Sequence, residues 1–210
     1  MATAAPGGRG TDHSPTTKSA RTRERIVDAT ARVLITRGYA GTRLSDIAEL
    51  AEVQAPAIYY YFASRDELIE EAVSVGLARA MALMGEALEG IPADATPMDR
   101  IHVAIGAHLS TLLTHSDHSA AAIKTVPQLP PDIRDRQFAA QRAYLDIWRS
   151  LLEDARAAGQ LDPGIDVRAA LMVVLGALSW TVEWWDPEQG SLEGVIRTAQ
   201  TVIEGGLTAA

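Results

Sequence analysis

The side chains of this sequence best placed to do chemistry lie between residues 42 and 65, and the chemistry they suit is hydrogen bonding to nucleic acid. Gln54 offers the paired amide donor and acceptor that match an adenine edge, and Arg43 the fork that matches guanine. Thr42, Ser45, Tyr60, Tyr61 and Arg65 supply hydroxyl and guanidinium donors of the kind that hold phosphate oxygens, with Ala55 and Tyr59 beside them. Apolar residues between them set the geometry. Leu44, Ile47, Ala48 and Ala51 recur at the spacing of one helical face, begun by Thr42 as N-cap, and Ala55, Ile58, Tyr59 and Phe62 repeat it. Two short helices folded across a tight turn predict a helix-turn-helix, with Gln54 and Ala55 leading the second helix into a major groove. Gln54, Pro56, Ala57, Tyr60 and Tyr61 are then its outward face.

The neighbouring segments read as the supports of this unit. Ile26, Ala29, Thr30 and Val33 make the stripe of a preceding helix, widened by Val27 and Leu34. Gly38 stands at its C′ position, where Leu34 and Tyr39 would close the cap. Ser64 followed by Glu67 predicts the start of a long fourth helix.

From Thr22 to Leu68 these residues resemble the N-terminal domain of the TetR family of one-component regulators. The resemblance runs through Arg23-Glu24-Arg25-Ile26, Arg37-Gly38-Tyr39, Thr42 with Asp46-Ile47-Ala48, Val53, Ile58-Tyr59-Tyr60, Phe62, and Ser64-Arg65-Asp66-Glu67-Leu68. Three positions depart from it. Glu52 replaces the usual turn glycine, at a cost of roughly 1 kcal/mol if a left-handed turn is kept. Ala55 and Tyr61 stand where relatives often carry Lys and His, so the operator sequence is left open.

Composition agrees with such a regulator. The net charge of −8 is unevenly spread: residues 1–43 hold eight Lys or Arg against three acids, and the remainder carries −13. A basic end for phosphate joined to an acidic body is the asymmetry expected of a DNA binder. Residues 1–18, rich in Gly, Ala, Thr and Pro, read as a disordered arm, with Arg21 and Arg23 placed to touch DNA from its end. Residues 19–63 read as the DNA-binding domain, and 64–210 as an effector-binding and dimerisation domain. No cysteine is present, so neither disulfides nor a thiolate metal site is expected. No apolar run reaches the ~18 residues of a membrane helix and the start lacks a signal-peptide core. The expectation is a cytoplasmic protein without membrane contact.

The fold expected is all-α: a three-helix helix-turn-helix domain plus a larger helical domain. Pro92 and Thr96-Pro97 precede a helix carrying Ile101, Ile105, His108, Leu109 and Leu112, and Asp117 opens a short one to Thr125. Residues 127–131 form a loop, and Asp132 starts a long helix that Gly159 ends. A nearly all-apolar helix follows over 167–185, and Ser191 caps the last. The final two helices expose more apolar surface than one body of this size covers, which predicts a homodimer. Leu171, Val174, Gly176, Leu178, Val195, Ile196, Ala199 and Ile203 are the expected contact set. The resemblance implies a four-helix bundle there, a palindromic double-stranded operator, and an effector pocket in the middle helices. Candidate pocket residues are Met81, Met84, His102, Ile105, His108, Leu112, Phe138, Tyr144, Trp148, Met172, Trp180 and Trp184. They suit a small hydrophobic effector, and the C-terminal segment loosely resembles members that sense acyl thioesters.

No cofactor is implied. His115 and His118 flank Asp117 at a metal-compatible spacing, but a solvated loop is the simpler reading. No nucleophile elbow or phosphate loop surrounds any Ser, His or Asp, which speaks against an enzyme. Two other classes remain open on sequence alone: an all-helical enzyme, and a helical adaptor that docks protein on Tyr59, Tyr60 and Tyr61.

Overall fold

The computed structural model describes residues 15–115 and 117–208. Among them run nine α-helices and no strand: α1 (Pro15–Gly41), α2 (Leu44–Leu50), α3 (Ala55–Tyr61), α4 (Arg65–Glu89), α5 (Pro97–Ser110), α6 (Asp117–Thr125), α7 (Pro131–Ala157), α8 (Val167–Trp184) and α9 (Leu192–Leu207). A π turn (Thr111–His115) precedes α6 and a 3₁₀ turn (Val126–Gln128) follows it. Of the expected arm, residues 1–14 lie outside the described residues. Residues 15–18 are already helical, because Pro15 stands first in the helix, where no N–H is required.

The helix ends follow from local chemistry. The Ser64 hydroxyl accepts from Glu67 N, while Glu67 accepts from Ala63 N. Thr96 and Asp99 form a reciprocal capping box, and Asp166 and Ser191 cap α8 and α9. Gly38 and Gly159 have positive φ (64° and 71°), and at Gly38 the backbone leaves helical geometry. Tyr39 N then donates to Oε1 of Gln128, so the 3₁₀ turn, rather than a Leu34–Tyr39 contact alone, completes this end.

Two cores result. One joins Ile26, Leu34, Ile47, Ile58, Phe62, Leu68 and Ile69 of α1–α4 to Ala121, Val126, Leu129 and Ile133. The helix-turn-helix unit therefore shares its interior with α6 and the start of α7. The other joins Met84, Ile101, Ile105, Leu109, Trp148, Leu152, Leu171, Leu178 and Leu207. At the crossing of α4 and α6, Gly76 lets the helices meet: a Cβ there would stand 2.5 Å from the His118 carbonyl oxygen.

Helix α8 corrects one expectation. It is 18 residues long with mean hydropathy 1.3, apolar enough by length and composition to cross a membrane, with Arg168 and Glu183 only near its ends. Only 28% of it is buried within the chain.

Candidate nucleic-acid interface and the cavity behind it

The turn between α2 and α3 is built from the backbone outward. Val53 N donates to Ala48 O at 2.9 Å, Glu52 N to Glu49 O at 3.1 Å, and Glu52 sits at φ 54°. The left-handed turn is thus kept without glycine. Arg25 of α1 braces it, its Nη2 donating to the carbonyls of Ala51 (2.9 Å) and Glu52 (3.4 Å).

Gln54 is the N-cap of α3, exposed, with no capping bond from its side chain, and Pro56 lies in the first turn. Tyr60 is 81% and Tyr59 60% exposed. Tyr61 turns partly inward, packed on the first core and edge-on to Tyr60. The roles expected of Tyr59 and Tyr61 are exchanged. The helix ends at Tyr61, so Phe62 reaches the core from an extended C-cap (φ −138°, ψ 129°), and the face of Ile58 continues to Tyr61 rather than Tyr59. Arg43 and Ser45 are exposed at the start of α2, and Ala55 is half-buried.

Three expected phosphate contacts are occupied within the protein. Thr42 is buried and its hydroxyl donates to Gly38 O at 2.7 Å, so Arg43 stands at the N-cap of α2 with no side-chain cap. Arg65 lies over the Tyr39 ring and donates from Nε to Thr42 O (2.9 Å), from Nη2 to Tyr39 O, and from Nη1 to Asp66. It clamps the end of α1 to α4. Arg23 pairs with Glu71 at 2.6 Å and stacks on Phe62, joining α1 to α4 in the same way. Sequence spacing hides the clamps made by the two arginines, because Thr42 lies 23 positions from Arg65 and Glu71 lies 48 from Arg23.

Behind this surface is a cavity of about 560 Å³. Its walls are Val73, Gly76, Leu77 and Ala80 of α4, His108 of α5, and Thr111 and Leu112 of the π turn. Ser119, Ala122 and Ile123 of α6, Val126 and Pro127 of the 3₁₀ turn, and Gln137, Phe138, Gln141, Tyr144 and Leu145 of α7 continue them. Met172, Leu175, Gly176 and Ser179 of α8 close it. No Asp, Glu, Lys or Arg lines it. Phe138 and Met172 are also about half exposed and mark its mouth between α7 and α8.

Of the expected pocket residues, His108, Leu112, Phe138, Tyr144 and Met172 line the cavity. Met84 and Trp148 are buried in the second core beside it, and Met81 packs against that core. Ile105 is fully buried there too, and His102 lies 3.3 Å from Glu204. Trp180 and Trp184 are exposed on α8, on the side its lining residues leave to solvent. His108 Nδ1 is 2.7 Å from the Tyr144 hydroxyl. Burial pushes the imidazole down to about 4 and the phenol up to about 12, so both are neutral near pH 7.

The contact set expected on the last two helices divides. Leu171, Val174 and Leu178 are buried within the chain, and Val195, Ile196, Ala199 and Ile203 are half-buried against the second core. Gly176 is exposed at the cavity edge beside Met172, and the outer side of α8 is Val173, Ala177, Trp180 and Trp184, with Val202 exposed on α9. The 3.6-residue period gives a stripe but not which of two opposed apolar stripes faces inward.

Sequence reasoning missed the role of α6. His118 is buried, with Nε2 2.9 Å from the Asp28 carboxylate and Nδ1 2.9 Å from Ala72 O, tying α6 to α1 and α4. Asp117 pairs with Arg32 at 3.1 Å. Both residues therefore serve helix contacts, and the side chain of His115 lies outside the described residues. One side of α6 and its 3₁₀ turn faces the cavity, and the other holds the reading unit.

Comparison with known proteins agrees with this architecture. Residues 26–72 match the family model of bacterial regulatory proteins of the tetR family, and residues 94–194 that of the tetracyclin repressor-like C-terminal domain. The fatty acid metabolism regulator protein of Bacillus subtilis is 26% identical over 162 residues, 76% of this chain and 81% of that protein. The TetR-family regulator PfmR of Thermus thermophilus superposes with a TM-score of 0.73 at 25% identity, covering 88% of this chain and all of that one. The Bacillus subtilis regulator FadR, in complex with stearoyl-CoA, superposes with a TM-score of 0.72 at 22% identity, covering 88% and 98%.

Proposed function

Since the chain belongs to the TetR family of DNA-binding transcriptional regulators, we propose that it is a repressor that holds a palindromic operator as a homodimer and releases it when a hydrophobic small molecule enters the cavity. The observation that carries this reading is the double duty of α6. Ser119, Ala122 and Ile123 face the cavity, while Asp117 and His118 hold Arg32 and Asp28 of α1. A ligand that prefers one position of α6 shifts the reading unit by its differential affinity for the two states, typically ~1 to 3 kcal/mol. Regulation here involves no reaction on the effector.

Gln54 and Arg43 are assigned to base edges, and Ser45, Tyr59 and Tyr60 to the adjoining bases and phosphates, with Ala55 close to the groove floor. The outer face of α8 is assigned to the second subunit, because a row of Val173, Trp180 and Trp184 in water is covered by its own copy in an isologous pair. Two reading heads then meet half-sites about one DNA turn apart or a multiple of that. The protein works in the cytoplasm, where its operator is. The fatty-acid role named for the Bacillus subtilis relative and the stearoyl-CoA in the Bacillus subtilis FadR structure support a lipid-derived effector, acyl thioesters included.

The test is a mobility shift on the DNA flanking the protein's own gene, followed by titration with lipophilic compounds. A palindromic footprint, with operator and effector weakening each other's binding by the same factor, is expected from linkage. Absence of sequence-preferring DNA binding over a salt series rejects the assignment. A ligand that saturates the cavity and leaves the operator complex intact rejects the switch.

A further inference from the structure

The two ends of α6 are joined to their neighbours in different ways. At the N-terminal end the backbones touch: a Cβ at Gly76 of α4 would stand 2.5 Å from the His118 carbonyl oxygen and 2.8 Å from Ser119 N. The Ser119 hydroxyl donates to Gly76 O at 3.2 Å, both ring nitrogens of His118 are engaged, and Asp117 pairs with Arg32. Close-packed backbones leave no room to slide, so this end is a fixed point. At the other end, among the described residues, the hydrogen bond to α1 runs through one side chain. Gln128 Oε1 accepts from Tyr39 N at 3.2 Å, while its Nε2 donates to Lys124 O at 2.7 Å. Glycine at position 38 leaves space for this hook, since a Cβ there would lie 2.9 Å from Gln128 Oε1.

The 3₁₀ turn that carries Gln128 is also cavity wall. Val126 lines the cavity and belongs to the first core with Ile26, Leu34 and Ile58, and Pro127 beside it is a second piece of wall. Lys124, paired with Glu183 at 3.4 Å, ties this end of α6 to α8 across the cavity. Beyond Tyr39 the backbone is bonded into one piece. Tyr39 O accepts from Arg65 Nη2, Thr42 O accepts from Arg65 Nε at 2.9 Å, and the Thr42 hydroxyl donates to Gly38 O at 2.7 Å. The next residue is Arg43, the N-cap of α2.

We propose that α6 is a lever pivoting at His118, and that Gln128 is the positioning residue that carries the state of the cavity to Tyr39 and from there to Arg43. This mechanism rests on the switch reading above and gives it a route. A ligand that displaces Ala122 and Ile123 moves the end of α6 that holds Gln128 further than the end fixed at Gly76. The base-reading side chain then follows through the Arg65 clamp.

The experiment fills the cavity by substitution, so it depends on no particular ligand. Ile123→Trp adds a large ring from α6 and Ser179→Trp one from α8, so that if either fails to fold the other remains. Each is made in the parent, in Gln128→Ala and in Gln128→Glu; Gln128 is exposed, so its replacement leaves both cores intact. Operator affinity is measured together with amide hydrogen exchange over residues 36–43 and 117–122. The ring should lower operator affinity by about tenfold in the parent, the upper worth of one hydrogen bond, and by no more than about twofold in Gln128→Ala. Gln128→Glu keeps an oxygen acceptor for Tyr39 N and should recover part of the parent's response. The ring should also speed exchange at Tyr39 N in the parent while residues 117–119 stay protected.

An equal loss of operator affinity with and without Gln128 overturns the lever and leaves the switch standing. Faster exchange at 117–119 with Tyr39 unchanged overturns it too, because the moving end would then be the wrong one. Should neither ring alter operator affinity in the parent, cavity and reading unit are uncoupled, and the switch falls with the lever. A parent without sequence-preferring DNA binding rejects the regulator assignment itself, and the exchange measurement still decides whether cavity filling reaches Tyr39 through Gln128.

Discussion

Residues 15–63 and residues 64–208 differ in how completely they bond their buried polar groups. In the first region the hydroxyls of Thr30 and Thr42 donate to Ile26 O and Gly38 O, and Arg25 and the incoming Arg65 bond to carbonyls where α2 and α1 end. In the second, Thr111, His118 and Thr181 are bonded in the same way, but His108 Nε2, Thr125 Oγ1 and Trp185 Nε1 are buried without a hydrogen bond. Each such atom costs ~1 to 3 kcal/mol, which a bonding partner can recover. The surfaces differ in the same sense. The reading unit exposes Tyr59 and Tyr60, whose hydroxyls suit a polar partner, whereas α8 exposes Val173, Trp180 and Trp184, of which only the indole N–H groups are polar. The head has its buried groups bonded internally, whereas the body keeps unbonded groups and uncovered apolar surface that a partner can satisfy.

The largest expected effect comes from breaking the body's outer face. Val173→Arg combined with Trp180→Glu places charges where a second copy would bury them, and an unpaired buried charge is costly. Neither side chain contributes to the chain's own core, so helicity and melting of the monomer should be little changed. Sedimentation should give a monomer at micromolar concentration, and operator affinity should fall on the order of a hundredfold as bivalent contact is lost. A variant that remains a dimer moves the interface away from α8.

The same contrast explains what the sequence made legible. Caps and punctuation are local, so Ser64, Ser191, Gly38 and Gly159 could be placed from neighbours within four residues. Inward stripes of three-layer regions were harder, since α8 is apolar on both sides and only α5, α7 and α9 decide which side is covered. Arg65, Arg23 and His118 escaped because their charges suggest solvent or ligand, while their partners lie on other helices. The cavity escaped in part because Val73, Gly76, Ala122 and Ile123 look like ordinary core, and what distinguishes them is a space between helices rather than a residue type.

A second effect belongs to the body alone. His108 is neutral in the folded protein, held by burial down to about 4, against ~6.5 when unfolded. Between those values the unfolded chain binds a proton that the native one does not, so stability rises with pH across this window. The contribution is fully present above ~6.5 and is lost as pH falls toward 4, with a ceiling of ~3 kcal/mol. Urea midpoints from pH 7 down to 4.5 should decline less steeply in His108→Phe than in the parent. Parallel slopes would show that His108 is solvated in the native state.

On the head, the sharper question is which contacts carry sequence preference. Gln54→Ala should lower discrimination at one base pair of each half-site by ~1 to 3 kcal/mol, leaving other positions unchanged. Tyr60→Phe removes only a hydroxyl, and should weaken all sequences alike by ~0.5 to 1.5 kcal/mol. Binding to a library of single-base operator variants separates the two outcomes. A uniform loss with Gln54→Ala would assign that side chain to phosphate and leave Arg43 as the reader.

The smallest effect tests the head's completeness, because Glu52 is where it departs from its own rule. At φ 54° this residue holds a left-handed backbone that costs a non-glycine residue roughly 1 to 2 kcal/mol. Glycine would relieve that strain but lose roughly 0.5 to 1 kcal/mol more chain entropy on folding. The difference predicts that Glu52→Gly stabilises the protein by about 0.5 kcal/mol, read as a small rise in the urea midpoint. The Arg25 bonds go to the Ala51 and Glu52 carbonyls and not to the Glu52 side chain, so the brace survives the substitution. Operator affinity should therefore stay within about twofold, since a turn already fixed from α1 gains little further order. A clear loss of operator affinity with unchanged stability would instead mean that the Glu52 carboxylate itself sets how the two short helices meet the groove.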